Sequence, residues 1–416
     1  MFIKSIRQAK KITGKKIFLR VDFNVPLDDR GKILDKNKII ASLPTIRFLL
    51  RNKCKVIIAT HITNEKLKIK NEKFITAKPL ANILSKLLGK KIIFINSCVG
   101  VKVKKKVEEL KEKQILMLEN LRSNPGEKNN DLKFARDLAQ LADIYINDAF
   151  AASHRQHASL CAIKNYLPSY AGLLLEKEVT HLNKILHPAR PFVMVMGGVK
   201  VETKLPIINN LAIKADYILL GGHMADIFLK LLGKETGKTP SPVLGSREKG
   251  KKYGDRDIKY VYRKFKKKII LPVDLVVSEK NDGTAPAKIK DIDSVGEKDY
   301  ILDIGPKTIL LYAEYIKKAR TIIWNGPMGK FEVKPFRHGT LALAQLIAAR
   351  SQGYAFGAVG GGETIEALKM IEMENYIDWI STGGGAMLYY LGGGKMPGLE
   401  KITDYHSKIF WRKVLN

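Results

Sequence analysis

Cysteine is scarce in this 416-residue chain, and the three present, Cys54, Cys98 and Cys161, are widely separated and odd in number. That excludes a disulfide framework and the paired spacing of a zinc site, and reads as reduced thiols. Long apolar runs are missing as well, since no uncharged stretch approaches the roughly 18 residues a membrane span requires. The first twenty residues carry lysines and lack the apolar core of a signal peptide, so a soluble, cytoplasmic protein is expected. Acidic residues are few beside basic ones, 41 against 73, leaving a net charge of +32. A charge of that size raises nucleic acid or an anionic membrane as a partner. The lysines, however, are spread through every segment, with short runs only at 102–106 and 264–268. Dispersed lysines read as solvated faces, so neither a membrane nor a specific nucleic-acid partner is expected.

What the chain does have is alternation. Short β-branched runs at 16–20, 55–59, 91–95, 115–118 and 144–146 read as buried strands of a first half, and runs near 192–196, 217–220, 321–323, 354–359 and 379–380 repeat the pattern in a second. Between them lie amphipathic segments. Leu80, Ile83, Leu84, Leu87 and Leu88 recur at helical spacing, with Pro79 near the start and Gly89 after the end; residues 341–350 read as another helix. Such alternation implies an α/β protein of parallel sheets covered by helices on both faces. Length suggests two or three domains. The expected division is 1–165, a connecting helix or hinge at 166–185, 186–390, and a C-terminal segment, 391–416, packing back on the first domain. Residues 236–257, rich in Gly, Pro, Ser and charge, read as an exposed loop.

Parallel sheets of this kind bind ligands at the carboxyl ends of their strands, and the polar clusters of the sequence fall there. After the first-half strands come Arg20, Asp22 and Asn24, then His61, Arg122, and the run His154, Arg155, Gln156, His157. Taken alone, each is as readily a surface ion pair, a turn or a satisfied buried imidazole. Sharing one position after strands, they suit a small polyanion such as a phosphorylated carboxylic acid. The second half places Gly197-Gly198-Val199-Lys200 with Lys204 four residues on, Asn325-Gly326-Pro327-Met328-Gly329, Gly360-Gly361-Gly362-Glu363-Thr364, and Gly383-Gly384-Gly385 after apolar runs. Glycines let backbone N–H groups approach an oxyanion, and lysines four apart share a helical face. A lone glycine triplet is more often a turn, and none of these loops follows the Walker or dinucleotide pattern. Together they argue for a nucleotide. Glu363 suits a Mg²⁺ accompanying its phosphates, or else simply favours a helix N-terminus.

The strings Arg20-Val21-Asp22-Phe23-Asn24-Val25-Pro26, Glu119-Asn120-Leu121-Arg122, Asn147-Asp148-Ala149-Phe150, Leu271-Pro272-Val273-Asp274, Asp303-Ile304-Gly305-Pro306-Lys307, Trp324-Asn325-Gly326-Pro327-Met328-Gly329 and Ser381-Thr382-Gly383-Gly384-Gly385-Ala386 closely resemble the phosphoglycerate kinase family, in order over essentially the whole chain. The resemblance implies two doubly wound, Rossmann-like parallel-sheet domains facing a central cleft that a hinge closes. It implies a glycolytic phosphotransferase, a monomer, moving a phosphoryl group reversibly between 1,3-bisphosphoglycerate and ADP to give 3-phosphoglycerate and ATP, with Mg²⁺ as Mg-ADP or Mg-ATP. By the same resemblance Arg20, Asp22, Asn24, His61, Arg122, His154, Arg155 and His157 hold phosphoglycerate. Lys200, Lys38, Gly383, Gly384 and Gly385 act at the moving phosphoryl. Gly197, Gly198, Lys204, Gly221, Gly222, Asn325, Glu332, Gly360, Gly361, Gly362 and Thr364 hold the nucleotide, Glu332 at the ribose, and Glu363 serves the metal.

Four positions depart from the family's pattern. Lys38 stands for an arginine, keeping the charge without the fork, and Asn64 replaces a phosphate-binding arginine with a neutral amide. Glu363 stands for aspartate, and His223 replaces a glycine of the loop at 221–224. The retained lysines, arginines and glycine loops favour an active, if weakened, kinase. Two readings remain beside it: an impaired relative that binds nucleotide without turnover, and a basic protein associated with nucleic acid.

Overall fold

The computed structural model describes residues 2–28, 32–63, 75–238 and 255–404. The chain forms two compact units, one comprising residues up to Thr180 and the described residues from Lys395, the other His181–Gly394.

In the first unit a two-residue strand, β1 (Phe2–Ile3), precedes β2 (Lys16–Val21), β3 (Lys55–Ala59), β4 (Ile92–Phe94), β5 (Ile115–Met117), β6 (Ile144–Asp148) and β7 (Ser169–Ala171). The last six form an all-parallel sheet in the order β4, β5, β3, β2, β6, β7. Its helices are α1 (Asn37–Arg51), α2 (Lys78–Leu88), α3 (Val101–Glu108), α4 (Pro125–Lys128) and α5 (Leu132–Ala139), while α6 (Leu173–Leu186) begins in this unit and ends in the next. Side chains alternate across a strand, and the cores divide accordingly. Ile17, Leu19 and Val21 of β2 join Leu43, Ile46 and Leu49 of α1 and Leu80 and Leu84 of α2. Phe18 points the other way, into a core with Val103, Val107, Phe134 and Leu138 from α3 and α5. Burial on both faces is why these strands read as continuous apolar runs. Helix α2 ends as expected, at Gly89 with a left-handed φ of 60°. β4 differs from expectation: it is shorter than 91–95 and only half-buried, because it lies at the sheet edge.

The second unit holds β8 (Phe192–Met196), β9 (Tyr217–Leu220), β10 (Ile269–Ile270), β11 (Asp274–Ser278), β12 (Lys288–Asp291), β13 (Tyr300–Ile304), β14 (Thr321–Asn325), β15 (Phe356–Val359) and β16 (Trp379–Ile380). Its helices are α7 (Val201–Leu211), α8 (Gly222–Leu231), α9 (Asp255–Phe265), α10 (Pro306–Lys318), α11 (His338–Ser351), α12 (Gly362–Met370) and α13 (Gly384–Leu391). Six strands form a second parallel sheet in the order β10, β9, β8, β14, β15, β16. Val193, Val195 and Ile322 pack there against Tyr312 and Ile316 of α10 and Leu343 and Ile347 of α11. The remaining three strands make a small antiparallel sheet, β12, β11, β13, that the sequence reading did not anticipate. β12 is Lys-Ile-Lys-Asp and largely exposed, so it carries no apolar run to announce it. Of the loop expected at 236–257, residues 239–254 lie outside the described residues, and α9 already begins at Asp255.

Late in the chain β17 (Thr403–Asp404) pairs antiparallel with β1. The segment before it docks on the first unit: Gly398 N–H donates to Ser153 O at 2.9 Å, Asn147 Nδ2 to Gly398 O at 3.0 Å, and Lys164 Nζ to the carbonyls of Pro397 and Glu400 at 2.7 and 2.6 Å. No helix among the described residues is long and apolar enough to cross a membrane.

Candidate active site

In the first sheet the strand order reverses beside β2, so the chain leaves the carboxyl ends of β3, β2 and β6 in diverging directions and opens a crevice there. Asp22 and Asn24 follow β2, His61 follows β3, Arg122 follows β5, and His154, Arg155 and His157 follow β6. α1 contributes Lys38, whose Nζ lies 2.9 Å from Asp22 Oδ2. Burial alone would raise the Asp22 carboxyl; the Lys38 ammonium, through its charge and its hydrogen bond, together with the neighbouring His61 and Arg20 outweighs it and holds the group at about 2. Asp22 is therefore a fixed anion whose Oδ1 accepts from Asn24 N–H at 3.1 Å. Asn24 in turn accepts from the backbone N–H of Thr63 at 2.8 Å and fastens the start of the following loop. Asn64, next in that loop, lies outside the described residues.

Arg20 is not part of an exposed basic patch. It is wholly buried, its Nε donating to Ser159 Oγ at 2.9 Å, one terminal nitrogen to Val21 O, and the other facing His61 Nδ1 at 3.1 Å. Its counter-ion is Glu127, 4.0 Å away and equally buried, which also accepts from Ser159 N–H and Oγ at 2.9 and 2.6 Å. The sequence reading missed Glu127 and Ser159. Neither lies at a strand end, and only the demand of a buried guanidinium for a carboxylate signals them.

The other ring nitrogen of His61, Nε2, faces Arg155 Nη1 at 3.2 Å. Burial first, then the charge of Arg20, hold the His61 pKa well below its usual value, so the ring is neutral. A neutral imidazole accepts at one nitrogen only, so only one of the two guanidiniums is satisfied by it. Arg122 Nε is buried with no hydrogen-bond partner. Burial and the neighbouring charges of Arg155 and Arg20 lower its pKa. His157 is pushed down to about 4 and His154 also falls, burial leading in both cases. Asn120 fixes the frame, accepting from the N–H groups of Ile62 and Arg122 at 3.2 and 3.1 Å. The result is a concentration of guanidinium charge with unmet donors and neutral imidazoles, a setting that favours an anion with several oxygens.

In the second unit the glycine-bearing loops follow five adjacent strands: 197–198 after β8, 221–222 after β9, 326–329 after β14, 360–362 after β15 and 383–385 after β16. They pack against one another. Gly198 N–H donates to Pro327 O at 2.7 Å, Gly197 N–H to Asn325 O at 3.0 Å, Gly222 N–H to Met328 O at 2.8 Å and Gly221 N–H to Met196 O at 3.0 Å. This alters the reason for those glycines. Their N–H groups are spent on neighbouring strand ends and loops, and what glycine supplies is closeness: a Cβ on Gly326, whose φ is 91°, would lie 3.0 Å from Gly198 N, and one on Gly384 would lie 2.7 Å from Gly361 N. The N–H groups left for a ligand are those of the first turns of α12 and α13, which helix geometry leaves without an intrahelical partner. Gly362, Glu363 and Thr364 open the first; Gly384 and Gly385 open the second.

Thr364 Oγ1 accepts from Gly326 N–H at 2.8 Å, and Asn325 Nδ2 donates to Gly360 O at 2.5 Å. The two lysines occupy different settings. Lys200 caps the N-terminus of α7 and is exposed, whereas Lys204, one turn into the helix, is 4% exposed, with its Nζ beside Gly198. Helical geometry begins only at Val201, so Lys200 belongs to the cap and Lys204 to the helix.

Beside these loops is a cavity of about 480 Å³. Gly198, Gly222, Ile304, Glu332 and Glu363 line it, as do residues not singled out from the sequence: Asn281, Tyr300, Asp226 and the apolar Leu275 and Leu302. The antiparallel sheet supplies Leu275 and the 300–304 wall, which is why sequence reasoning could not see the wall without that sheet. Asp303, also in it, accepts from Gly339 and Ile304 N–H at 2.7 and 2.9 Å, yet burial lifts it to about 7.

Two clusters built in this way, each at the carboxyl ends of its own sheet, invite comparison with known proteins. The family model for phosphoglycerate kinase matches residues 6–394. Phosphoglycerate kinases of Moorella thermoacetica and Anaeromyxobacter dehalogenans are 41% and 42% identical over 398 residues, in each case 95% of this chain and 98% of the relative. Among solved structures, the phosphoglycerate kinase of Coxiella burnetii superposes with a TM-score of 0.83 at 34% identity, covering 96% of this chain and 99% of that one. The enzyme of Pyrococcus horikoshii gives 0.81 at 32%, covering 99% and 100%. With matches of this extent in sequence and in fold, the chain belongs to the phosphoglycerate kinase family.

Proposed function

We propose that the two clusters divide the reaction of the family between them, phosphoglycerate held by the first unit and the magnesium nucleotide by the second. The chain is a kinase, a phosphotransferase with a carboxyl group as acceptor. The observation that carries the division is the unmet guanidinium charge at the carboxyl ends of one sheet, against a nucleotide-sized cavity bordered by glycine loops on the other.

In the direction of ATP formation an oxygen of the ADP β-phosphate attacks the phosphorus of the acyl phosphate. The bond from phosphorus to the carboxyl oxygen breaks, and the carboxylate leaves with its electron pair. No proton moves and no covalent enzyme intermediate is required, so catalysis rests on alignment and on neutralising charge. Arg122 and Arg155 bind the phosphoglycerate, with His61 set by Arg20 and Asp22 anchoring Lys38 toward the reacting carboxyl. Lys200, exposed at the N-cap of α7, stabilises charge on the phosphoryl group in transit, and Lys204 holds nucleotide phosphate. First-turn N–H groups of α12 and α13 add donors, and Glu332 accepts from the ribose.

Among the described residues no group of three or more His, Cys, Asp or Glu could cage a metal. That suits Mg²⁺, which is commonly held by one or two carboxylates together with substrate phosphates and water. Glu363, exposed at the start of α12 and lining the cavity, is the carboxylate that would hold it. When bound, the ion neutralises phosphate charge. The deciding experiment is a coupled assay of ATP formation from 1,3-bisphosphoglycerate and ADP, with Mg²⁺ present or chelated. Turnover that chelation abolishes is expected; tight Mg-ADP binding by folded protein without turnover would overturn the division of roles.

A further inference from the structure

The buried pair of Glu127 and Arg20 is closed off from solvent, yet a chain of hydrogen bonds leads from it to His61. Ser159 Oγ donates to Glu127 Oε1 at 2.6 Å and accepts from Arg20 Nε at 2.9 Å, and Arg20 Nη2 faces His61 Nδ1 at 3.1 Å. Because the serine proton is given to the carboxylate, its oxygen is left to receive the guanidinium. Tyr145 steadies the same serine by donating to its carbonyl at 2.8 Å. A guanidinium nitrogen only donates, so a ring nitrogen that bonds to it must accept. Each side of His61 meets one: Nδ1 faces Arg20, and Nε2 faces Arg155 Nη1 at 3.2 Å. The neutral ring carries one proton and satisfies one of them. Arg20 is wholly buried and held at its other nitrogens by Ser159 and Val21, whereas Arg155 is half-buried and can turn to solvent. Leaving the buried donor unmet costs more, so Nδ1 is the acceptor. Asp22 Oδ1, 3.8 Å from Nδ1, is too distant to claim the proton and already accepts from Asn24.

Resting on the phosphoglycerate reading of this cluster, we propose that Glu127, Ser159 and Arg20 are positioning residues that lock His61 as its Nε2–H tautomer, so that the ring donates to a substrate oxygen together with Arg155. In that form Nε2–H and Arg155 Nη1 are two donors side by side. A carboxylate or phosphate oxygen at the apex of the pair accepts from both. The opposite tautomer would satisfy Arg155 within the protein and turn a lone pair on the incoming oxygen, losing one donor and opposing two acceptors. Burial first, then the charge of Arg20, hold the His61 pKa well below its usual value, so the choice lies between two neutral tautomers and not between charge states.

The test joins nitrogen-15 NMR of the His61 ring in the full chain at pH 8, without ligand, to steady-state kinetics, the ring signals being assigned by their loss in His61→Gln. Wild type should carry the ring proton on Nε2 and none on Nδ1. Arg20→Met combined with Glu127→Gln removes the donor at Nδ1 while leaving no buried charge unpaired and the net charge of the cluster unchanged. Arg155 then claims Nε2, and the proton should move to Nδ1. The KM for 3-phosphoglycerate should rise about three- to tenfold, the range of one hydrogen bond, with kcat and the KM for ATP within about twofold of wild type. Ser159→Ala removes no charge and serves if the double variant does not fold; it should move the same readings in the same direction by less. A merely structural role would change stability and both KM values without moving the ring proton. A wild-type ring protonated at Nδ1, a folded variant that keeps the wild-type tautomer, or a moved proton with an unchanged KM for 3-phosphoglycerate overturns the inference. Failure of the wild type to bind 3-phosphoglycerate defeats the reading of the cluster and the inference with it, whereas binding with the proton on Nδ1 defeats the inference alone.

Discussion

Lys200 and Lys204 are four residues apart and differ in setting: one is an exposed helix cap, the other a nearly buried side chain against Gly198. A buried ammonium that meets phosphate in both ground and transition states contributes to binding, while an exposed one that meets charge only during transfer contributes to rate. Lys200→Ala should therefore lower kcat by about a hundredfold or more with a smaller effect on nucleotide affinity. Lys204→Ala should chiefly raise the KM for ADP, and steady-state kinetics on the two variants separate the roles. Arg122 gives a second prediction. Its buried Nε has no partner, and lysine keeps the charge without that donor or the planar fork. Arg122→Lys should raise the KM for 3-phosphoglycerate about ten- to a hundredfold and leave that for ATP unchanged. Similar KM changes for both substrates would remove Arg122 from the phosphoglycerate site.

Among the elements, α6 carries the chain from one unit to the other, and its first turn is held by a strand end. Asp148 Oδ1, at the end of β6, accepts from the N–H groups of Leu174 and Leu175 at 2.9 and 3.1 Å. Burial nevertheless raises the carboxyl from 3.8 to about 6, outweighing the hydrogen bonds it receives. The folded protein thus holds this proton more tightly than the unfolded chain. The resulting stabilisation is present below about pH 4 and is lost as pH rises through about 6. Asparagine in its place keeps an oxygen acceptor and does not titrate. Asp148→Asn should gain stability relative to wild type, on the order of 1 kcal/mol, between pH 5 and pH 8. Denaturant melts of both proteins at the two pH values check this, and a difference independent of pH would remove the titration of Asp148 as the cause.

On the scale of the whole molecule, the net charge of +32 is carried by dispersed lysines, and the half-buried Lys38 and the buried Arg20 are committed to Asp22 and Glu127. Contacts by surface lysines with a polyanion gain from counterion release and from little else. Oligonucleotide binding should be weak, indifferent to sequence and largely lost by about 0.2 M salt, as fluorescence anisotropy against a salt series would measure. Sequence-selective binding persisting at that salt would point to a surface built for nucleic acid.

Much of this was legible in the chain itself. Apolar runs such as 55–59 and 192–196, buried on both sheet faces, declare themselves without long-range information, and so does the helix that Gly89 ends. That Arg122, Arg155, Lys204 and the glycine loops come after strands was also visible, because strand ends follow strands in sequence as they do in space. What tertiary structure decided was pairing. That Arg20 is a buried support tied to Glu127, 107 positions away, cannot be read from either residue alone. Nor can the fact that Gly197 and Gly198 give their N–H groups to Asn325 at the end of β14 and to Pro327 just beyond it, or that Asp226 lines a cavity together with residues of an antiparallel sheet whose edge strand is charged. Local sequence determines which segments become strands and helices, since periodicity and capping act within a few residues. Which donor meets which acceptor depends on elements brought together across the chain, and only the folded packing determines that.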